Sequence, residues 1–171
     1  SCRRNIKKAK KSGIAVEVNN HCLAELCQIH QDNMRAIGGK PKSKRFFELI
    51  VKHFQADKDF KIYTAKLNGK IITALLLFYF KNYVEYFVPG TIINYRELQP
   101  SALILETALA DAQRNGFKIW NWGGTWLTQS GVYRFKKKWG AQEKKYLYHT
   151  RIGNEQILQS HPEQLLARYP D

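Results

Sequence analysis

The residues whose types and spacing could do chemistry gather between positions 83 and 140. The run Lys118-Ile119-Trp120-Asn121-Trp122 puts two indoles on one face of a strand and ends in Gly123-Gly124, where bare backbone can come close to a bound molecule. Downstream, Arg134 precedes Lys136, Lys137 and Lys138, which occupy successive positions of a helical turn, so one or two face the strand ends and the rest face water. Glu85 is the acid of the middle strands; it can relay a proton or pair with a lysine across the sheet. Tyr95 and Arg96 stand ahead of a helix start, where orphan N–H groups and the helix dipole favour phosphate or carboxylate. Aromatic side chains two apart are also how a sheet packs on a helix, so packing and binding both stay open for the tryptophans.

Other chemistries lack their residues. The histidines (His21, His30, His53, His149, His161) are scattered, and His21 and His30 miss the four-residue spacing of a helical ligand pair, so no metal site is expected. No Gly-x-Ser-x-Gly elbow occurs. Cys27 and His30 share a helix face, but no third group is in place to orient the imidazole, and packing is the expectation. Cys2, Cys22 and Cys27 are an odd set in a chain large enough to need no staple; reduced thiols in a cytoplasmic protein are expected.

Charge points to the partner's sign. The 171 residues carry 28 Lys and Arg against 14 Asp and Glu, a net charge of +14, and six of the basic residues fall within positions 3–11 with no acid between them. A further basic group, Lys40, Lys42, Lys44 and Arg45, follows. Such surfaces suit an anionic partner: RNA, a phosphorylated cofactor, a nucleotide-linked precursor, or the headgroup layer of an anionic membrane contacted peripherally. The longest apolar stretch, 71–80, is too short to span a bilayer, which needs roughly 20 residues of helix.

The elements that position these residues are expected in a fixed order. A basic helix over 3–11 stops at Ser12-Gly13, a strand covers 14–18, and Asn20 caps a helix that ends near Gly38-Gly39. Ser43 caps a second helix burying Phe46, Phe47, Ile50 and Phe54. The period then changes from 3.6 to 2: strands over 60–67 and 70–80 flank Asn68-Gly69, a strong hairpin signal, and Lys81-Asn82 turns into a strand over 83–88 that Pro89-Gly90 ends. Pro100 opens a helix closed by Gly116, and the strand over 118–122 follows, which makes a crossover with its two strands parallel. A short helix reaches Lys138 and stops at Gly140; a strand over 146–152 and helical pieces over 155–169 complete the chain.

Three stretches carry a family resemblance: Arg3-Arg4-Asn5-Ile6-Lys7-Lys8-Ala9-Lys10-Lys11-Ser12-Gly13; 103–116 followed by Trp120-Asn121-Trp122-Gly123-Gly124; and Gly131-x-x-x-Phe135-Lys136-x-x-Trp139-Gly140-Ala141. Together they resemble the second acyltransferase-like half of the FemABX-type aminoacyl transferases, within the Gcn5-related N-acetyltransferase (GNAT) superfamily. The resemblance covers nearly the whole chain. It implies an α/β (α+β) fold with a mixed, mostly antiparallel central sheet, one crossover helix and flanking helices, built as a single domain over 1–171 that is either one half of a tandem protein or a one-domain relative. It implies an enzyme that moves an activated acyl group onto an amine acceptor such as a cell-wall peptide precursor. The donor would be aminoacyl-tRNA or an acyl-coenzyme A, with no tightly bound cofactor.

Carried onto this sequence, the resemblance makes Lys136 the residue that assists donor binding or the transition state; for such a reaction Glu85 is the acid that can relay the proton of the incoming amine. Backbone at Val88 and Gly90 would pair with the donor's extended arm, and Tyr95, Arg96, Trp122, Gly123 and Arg134 would line its path. One departure stands out: 95–100 has none of the glycines that cradle a pyrophosphate in coenzyme A-dependent relatives, which leaves room for another donor. Two further readings stay open on the residues alone, a nucleic-acid-binding module without chemistry and an inactive half that supports a partner domain.

Overall fold

A computed structural model describes residues 1–147 and 149–168. Helix α1 (Cys2–Lys11) leads to β1 (Ala15–Val18), α2 (Leu23–Ala36) and α3 (Lys44–His53). The meander β2 (Phe60–Leu67), β3 (Lys70–Phe80) and β4 (Tyr83–Thr91) follows, then a 3-10 segment (Ile93–Leu98), α4 (Pro100–Arg114), β5 (Ile119–Asn121) and α5 (Ser130–Lys138). A second 3-10 segment (Glu155–Gln159) and α6 (Pro162–Arg168) come last. The five strands lie in sequence order; every pairing is antiparallel except the parallel β4–β5 contact that the crossover helix α4 makes possible.

Local chemistry sets the corners. Asn68 and Gly69 both adopt positive φ, as a two-residue hairpin requires, and the Ser43 hydroxyl accepts from the Phe46 amide to cap α3. Pro100 fills the first turn of α4, and Gly116 takes φ +79° just beyond its end. The sheet is covered on both faces, which explains why β3 reads as an almost unbroken apolar run rather than an alternating one. Leu75, Leu77 and Tyr79 pack with α1 and α4 through Ala9, Leu103, Ile104 and Ala108. Ala74 and Leu76 pack with α2 and α3 through Leu26, Ile29, Phe47 and Ile50.

The structure corrects four expectations. β4 does not stop at Val88 but runs through Pro89 and Gly90 to Thr91, still paired with β3. Proline is tolerated because β4 has become an edge there and nothing on the far side calls for its N–H. Asn20 does not cap α2; Cys22 holds the cap position without a side-chain bond, and the Asn20 carboxamide instead accepts from the Ile62 amide and donates to Asp57. β5 ends one residue early, leaving Trp122 just outside it. No strand forms over 146–152 among the described residues, and Tyr148 lies outside them; β5 is three residues long, too short an edge to template one, and Tyr146 and Leu147 are exposed. The helical pieces expected over 155–169 are the second 3-10 segment and α6, with Tyr169 outside the described residues.

Candidate active site

The site is a parting of two strands. β4 and β5 pair only through Tyr83–Ile119, Val84–Trp120 and Glu85–Asn121; beyond this, β4 continues for six residues while β5 turns away. Pro89 cannot donate to a neighbouring strand, and a bulge places Phe87 opposite no residue of β3, so β4 bends where it loses its partner. The pleat then sorts the side chains. Trp120, Trp122 and Tyr86 cluster on the α4 side, with the indole centroids 5.6 Å apart and Tyr86 5.2 Å from Trp122. Glu85 and Asn121 face the other way and share a side-chain hydrogen bond at the point of separation.

Helix α5 is laid across the opening. Phe135 meets Trp122 edge to face at 6.1 Å, and the next residue, Lys136, turns its ammonium to the loop that leaves β5. Lys136 Nζ donates to Gly123 O (3.0 Å), Gly124 O (2.8 Å) and Thr125 Oγ1 (2.7 Å). The loop can present those carbonyls because Gly123 holds φ +67°, a conformation glycine adopts without strain, and its amide donates to Asn121 Oδ1 at 3.0 Å. Three bonds match the three donors of an ammonium. The cation is thus fixed in place, and its positive charge, rather than a free N–H, is what it offers a neighbour.

Burial governs how this pair titrates. Desolvation pushes the Glu85 carboxyl above the ordinary glutamate value, against the opposing pull of the Asn121 hydrogen bond and the Lys136 charge. Desolvation likewise pulls the Lys136 ammonium below the ordinary lysine value, against the influence of Glu85. Each group is moved toward its neutral form. A Cβ added at Gly123 would sit 3.8 Å from Glu85 Oε1, so the carboxylate, the glycine turn and the fixed ammonium form one group.

Next to it, the end of β4 borders a cleft of about 340 Å³ lined by Asn33, Pro89, Gly90, Thr91, Arg96, Gln99, Ser101 and Phe135. Helix α2 forms one wall and approaches so closely that a Cβ at Gly90 would lie 2.7 Å from Ile29 Cγ2. At the base, Thr73 donates to Thr91 at 3.1 Å, and the hydroxyls of Thr91 and Ser101 share a bond of 2.7 Å.

The sequence-expected residues divide accordingly. Glu85, Gly123 and Lys136 come together, with Trp122 beside them through Phe135. Gly90 and Arg96 line the cleft. The Val88 side chain is buried in the core under α2 and α3, which leaves its backbone as the part that can bind. Tyr95 packs toward the α1–α4 core with Lys70 over its ring at 5.6 Å, and Arg134 is exposed on α5. Sequence reasoning missed Asn33, Thr91, Gln99, Ser101 and Asn121; none has a spacing signal, although Gln99 stands where its αL conformation (φ 61°) would favour glycine. Among the described residues no group of three or more His, Cys, Asp and Glu is placed to hold a metal ion, and no helix is long and apolar enough to cross a membrane.

Comparisons with known proteins agree with this fold. The model of the acetyltransferase (GNAT) domain family matches residues 1–137. No curated protein sequence matches the chain significantly. Among solved structures, FemX superposes with a TM-score of 0.74 at 16% identity over 81% of this chain and 53% of its own, so the chain spans about half the length of FemX. A ribosomal-protein-alanine N-acetyltransferase from Brucella melitensis biovar Abortus 2308 gives a TM-score of 0.62 at 9% identity, covering 82% of this chain and 99% of its own. An aminoglycoside acetyltransferase from an uncultured soil metagenomic sample, in complex with trehalose, gives 0.59 at 12% identity, covering 81% and 96%.

Proposed function

The chain belongs to the acetyltransferase (GNAT) domain family, in its FemABX-like branch, and from that premise we propose that this acyltransferase moves an aminoacyl or acyl group from a large anionic donor onto a primary amine. The observation that carries the reading is the parting of β4 and β5, with Glu85 and the fixed Lys136 ammonium beside it and Phe135, the residue before Lys136, in the lining of the neighbouring cleft that also holds Arg96.

Aminolysis of an ester or thioester needs a neutral amine, a carbonyl held within attacking distance and positive charge near the oxygen that becomes anionic. Glu85, raised by burial, takes the proton that the amine sheds as its nitrogen bonds to the carbonyl carbon, and returns it to the donor oxygen or sulfur, which departs as the alcohol or thiol when its bond to that carbon breaks. Lys136 contributes its fixed charge and the shape of the 123–125 turn; little reorganisation is left for the moment of reaction. The donor's arm runs along the free edge of β4 at Val88 and Gly90, past Trp122 and Gly123, with Tyr95, Arg96 and Arg134 nearer the surface.

Aminoacyl-tRNA is the donor favoured by the basic face of α1, where Arg3, Arg4, Lys7, Lys8 and Lys11 line one exposed hollow, and by the side chain of Gln99 where a pyrophosphate cradle has glycine. Acyl-coenzyme A is the second donor to test. The half-length match to FemX supports a second acyltransferase-like unit as partner, and a cell-wall peptide amine as acceptor. Thermal-shift and mass-spectrometric binding assays with acetyl-coenzyme A, charged tRNA and uncharged tRNA test the donor. With the donor that binds, Lys136→Ala is expected to cut transfer about 10²-fold with the fold retained; unchanged transfer removes the assigned role.

A further inference from the structure

Arg96 is the charged residue of the cleft lining, and it is held rather than loose. Its Nη2 donates to Asn33 Oδ1 at 2.8 Å, while Asn33 Nδ2 donates to Thr91 O at 2.9 Å and to Ile29 O at 2.8 Å. One carboxamide therefore joins α2, the end of β4 and the 3-10 segment around the cleft, with all its bonds pointed inward. Asparagine is an indifferent helix former, and a surface position on α2 would take almost any residue. The close seat of α2 on Gly90 fixes where the carboxamide lies. The other N–H groups of Arg96 have no hydrogen-bond or ion-pair partner among the described residues, although a long exposed arginine ordinarily spreads over many rotamers.

We infer that Asn33 is a positioning residue for anion recognition: it aims the Arg96 guanidinium across the cleft so that its free N–H groups meet a phosphate of the bound donor. The inference rests on the cleft's being the donor site. A planar guanidinium fixed at one nitrogen presents a two-pronged edge to phosphate oxygens, and ordering it beforehand spares that cost on binding. Phosphate in this place can come from a coenzyme A diphosphate or from the terminal phosphodiester of an RNA.

The test is a double-mutant cycle read by binding. Inorganic pyrophosphate is titrated into the wild type, Asn33→Ala, Arg96→Ala and the double variant by calorimetry, with the Arg96 Nε–Hε resonance followed by NMR. Asn33→Ala is expected to weaken binding about tenfold, as one charge-assisted hydrogen bond does, and to weaken it no further once Arg96 is gone. Coenzyme A and a short single-stranded RNA are titrated in parallel; the one weakened by the same factor is the source of the phosphate. In transfer assays KM for the donor should rise with kcat within about twofold, since the group acts on binding and not on the reacting atoms. Should Asn33→Ala fail to fold, Arg96→Lys, which keeps the charge without the plane, should still bind several-fold more weakly. Wild-type affinity in Asn33→Ala or Arg96→Lys, additive losses in the double variant, or no binding of any of the three probes to the wild type would each overturn the inference. Binding with the expected cycle but no acyl transfer from any donor would leave it standing and remove the proposed reaction instead.

Discussion

Two lysine–carboxylate pairs are built differently, one closed around Asp111 of the crossover helix and one open beside the parted strands. At the closed end, Lys61 Nζ reaches Asp111 Oδ2 at 2.8 Å, and the same oxygen accepts from the Tyr63 hydroxyl at 2.5 Å, with Tyr79 bonded to Tyr63 behind it. Burial acts to raise the Asp111 carboxyl, but the hydrogen bonds from Lys61 and Tyr63 outweigh it, and the group sits below the ordinary aspartate value. Burial drives both tyrosines up, Tyr79 to about 12, so neither hydroxyl loses its proton near neutral pH. At the open end, Glu85 and Lys136 spend their bonds elsewhere, Glu85 on Asn121 and Lys136 on the 123–125 turn. The difference separates holding from doing: a carboxylate saturated by its cation is inert, while one left half-desolvated with its cation at a distance keeps a proton affinity that can be used.

Glu85→Gln gives the largest effect expected. Transfer should fall about 10²–10³-fold, within the range for losing a general base, while stability to urea holds or rises because a penalised carboxylate has been replaced by a neutral amide. A variant with unchanged transfer would collapse the distinction between the two ends.

Asp111→Ala should do the reverse. Removing the acid strands Lys61 and takes the carboxylate acceptor from the buried Tyr63 hydroxyl, and a loss of about 3 kcal/mol of unfolding free energy is expected from urea titration, with transfer per folded molecule nearly unchanged at low temperature. A stable Asp111→Ala, or one that folds normally and transfers poorly, would show that the closed end also serves the reaction.

The two ends should also part along the pH axis. The Asp111 value is lowered on folding, so its stabilisation is complete above the unfolded aspartate value of about 3.9 and is lost as pH falls through the folded one. The Glu85 value is raised on folding, so a base in that position gains activity as pH climbs through a value above the ordinary glutamate range. Acid unfolding should therefore shift to higher pH in Asp111→Ala, and the acid limb of the rate profile should vanish in Glu85→Gln and persist in Asp111→Ala.

How much of this was legible in the sequence depends on the range of the signal. Asn68-Gly69, Pro100 and Gly116 act on their immediate neighbours, so the hairpin and both ends of α4 were readable from single residues. Gly123 and Lys136 stand out as types in a stretch of glycines and lysines, and Glu85 as the acid of the middle strands, but the bonds from Lys136 to the Gly123 and Gly124 carbonyls depend on how α5 lies over the turn, and no spacing encodes that. Tyr63 and Asp111 are 48 positions apart, and Asn33 lies 63 from Arg96 and 58 from Thr91, so they meet only after the sheet and α2 have packed. Pro89 misled because proline ends an interior strand but not an edge, and β4 is an edge only because β5 turns away.

The smallest effect belongs to a third pair, Lys66 and Glu17, whose 2.6 Å separation is shorter than that of Lys61 and Asp111. Here the hydrogen bond between them raises the lysine and lowers the glutamate, as an ion pair should. Both side chains nonetheless stand in water on the β1–β2 edge, with 32% and 46% of their surface exposed. Solvent screens the attraction, and holding two long side chains in one geometry costs entropy of similar size. Lys66→Met should leave the urea midpoint where it is and, far from the cleft, leave transfer unchanged. If it shifted the midpoint as far as Asp111→Ala does, contact distance rather than burial would be what makes the closed end structural, and the reading of Glu85 as poised by desolvation would lose its footing.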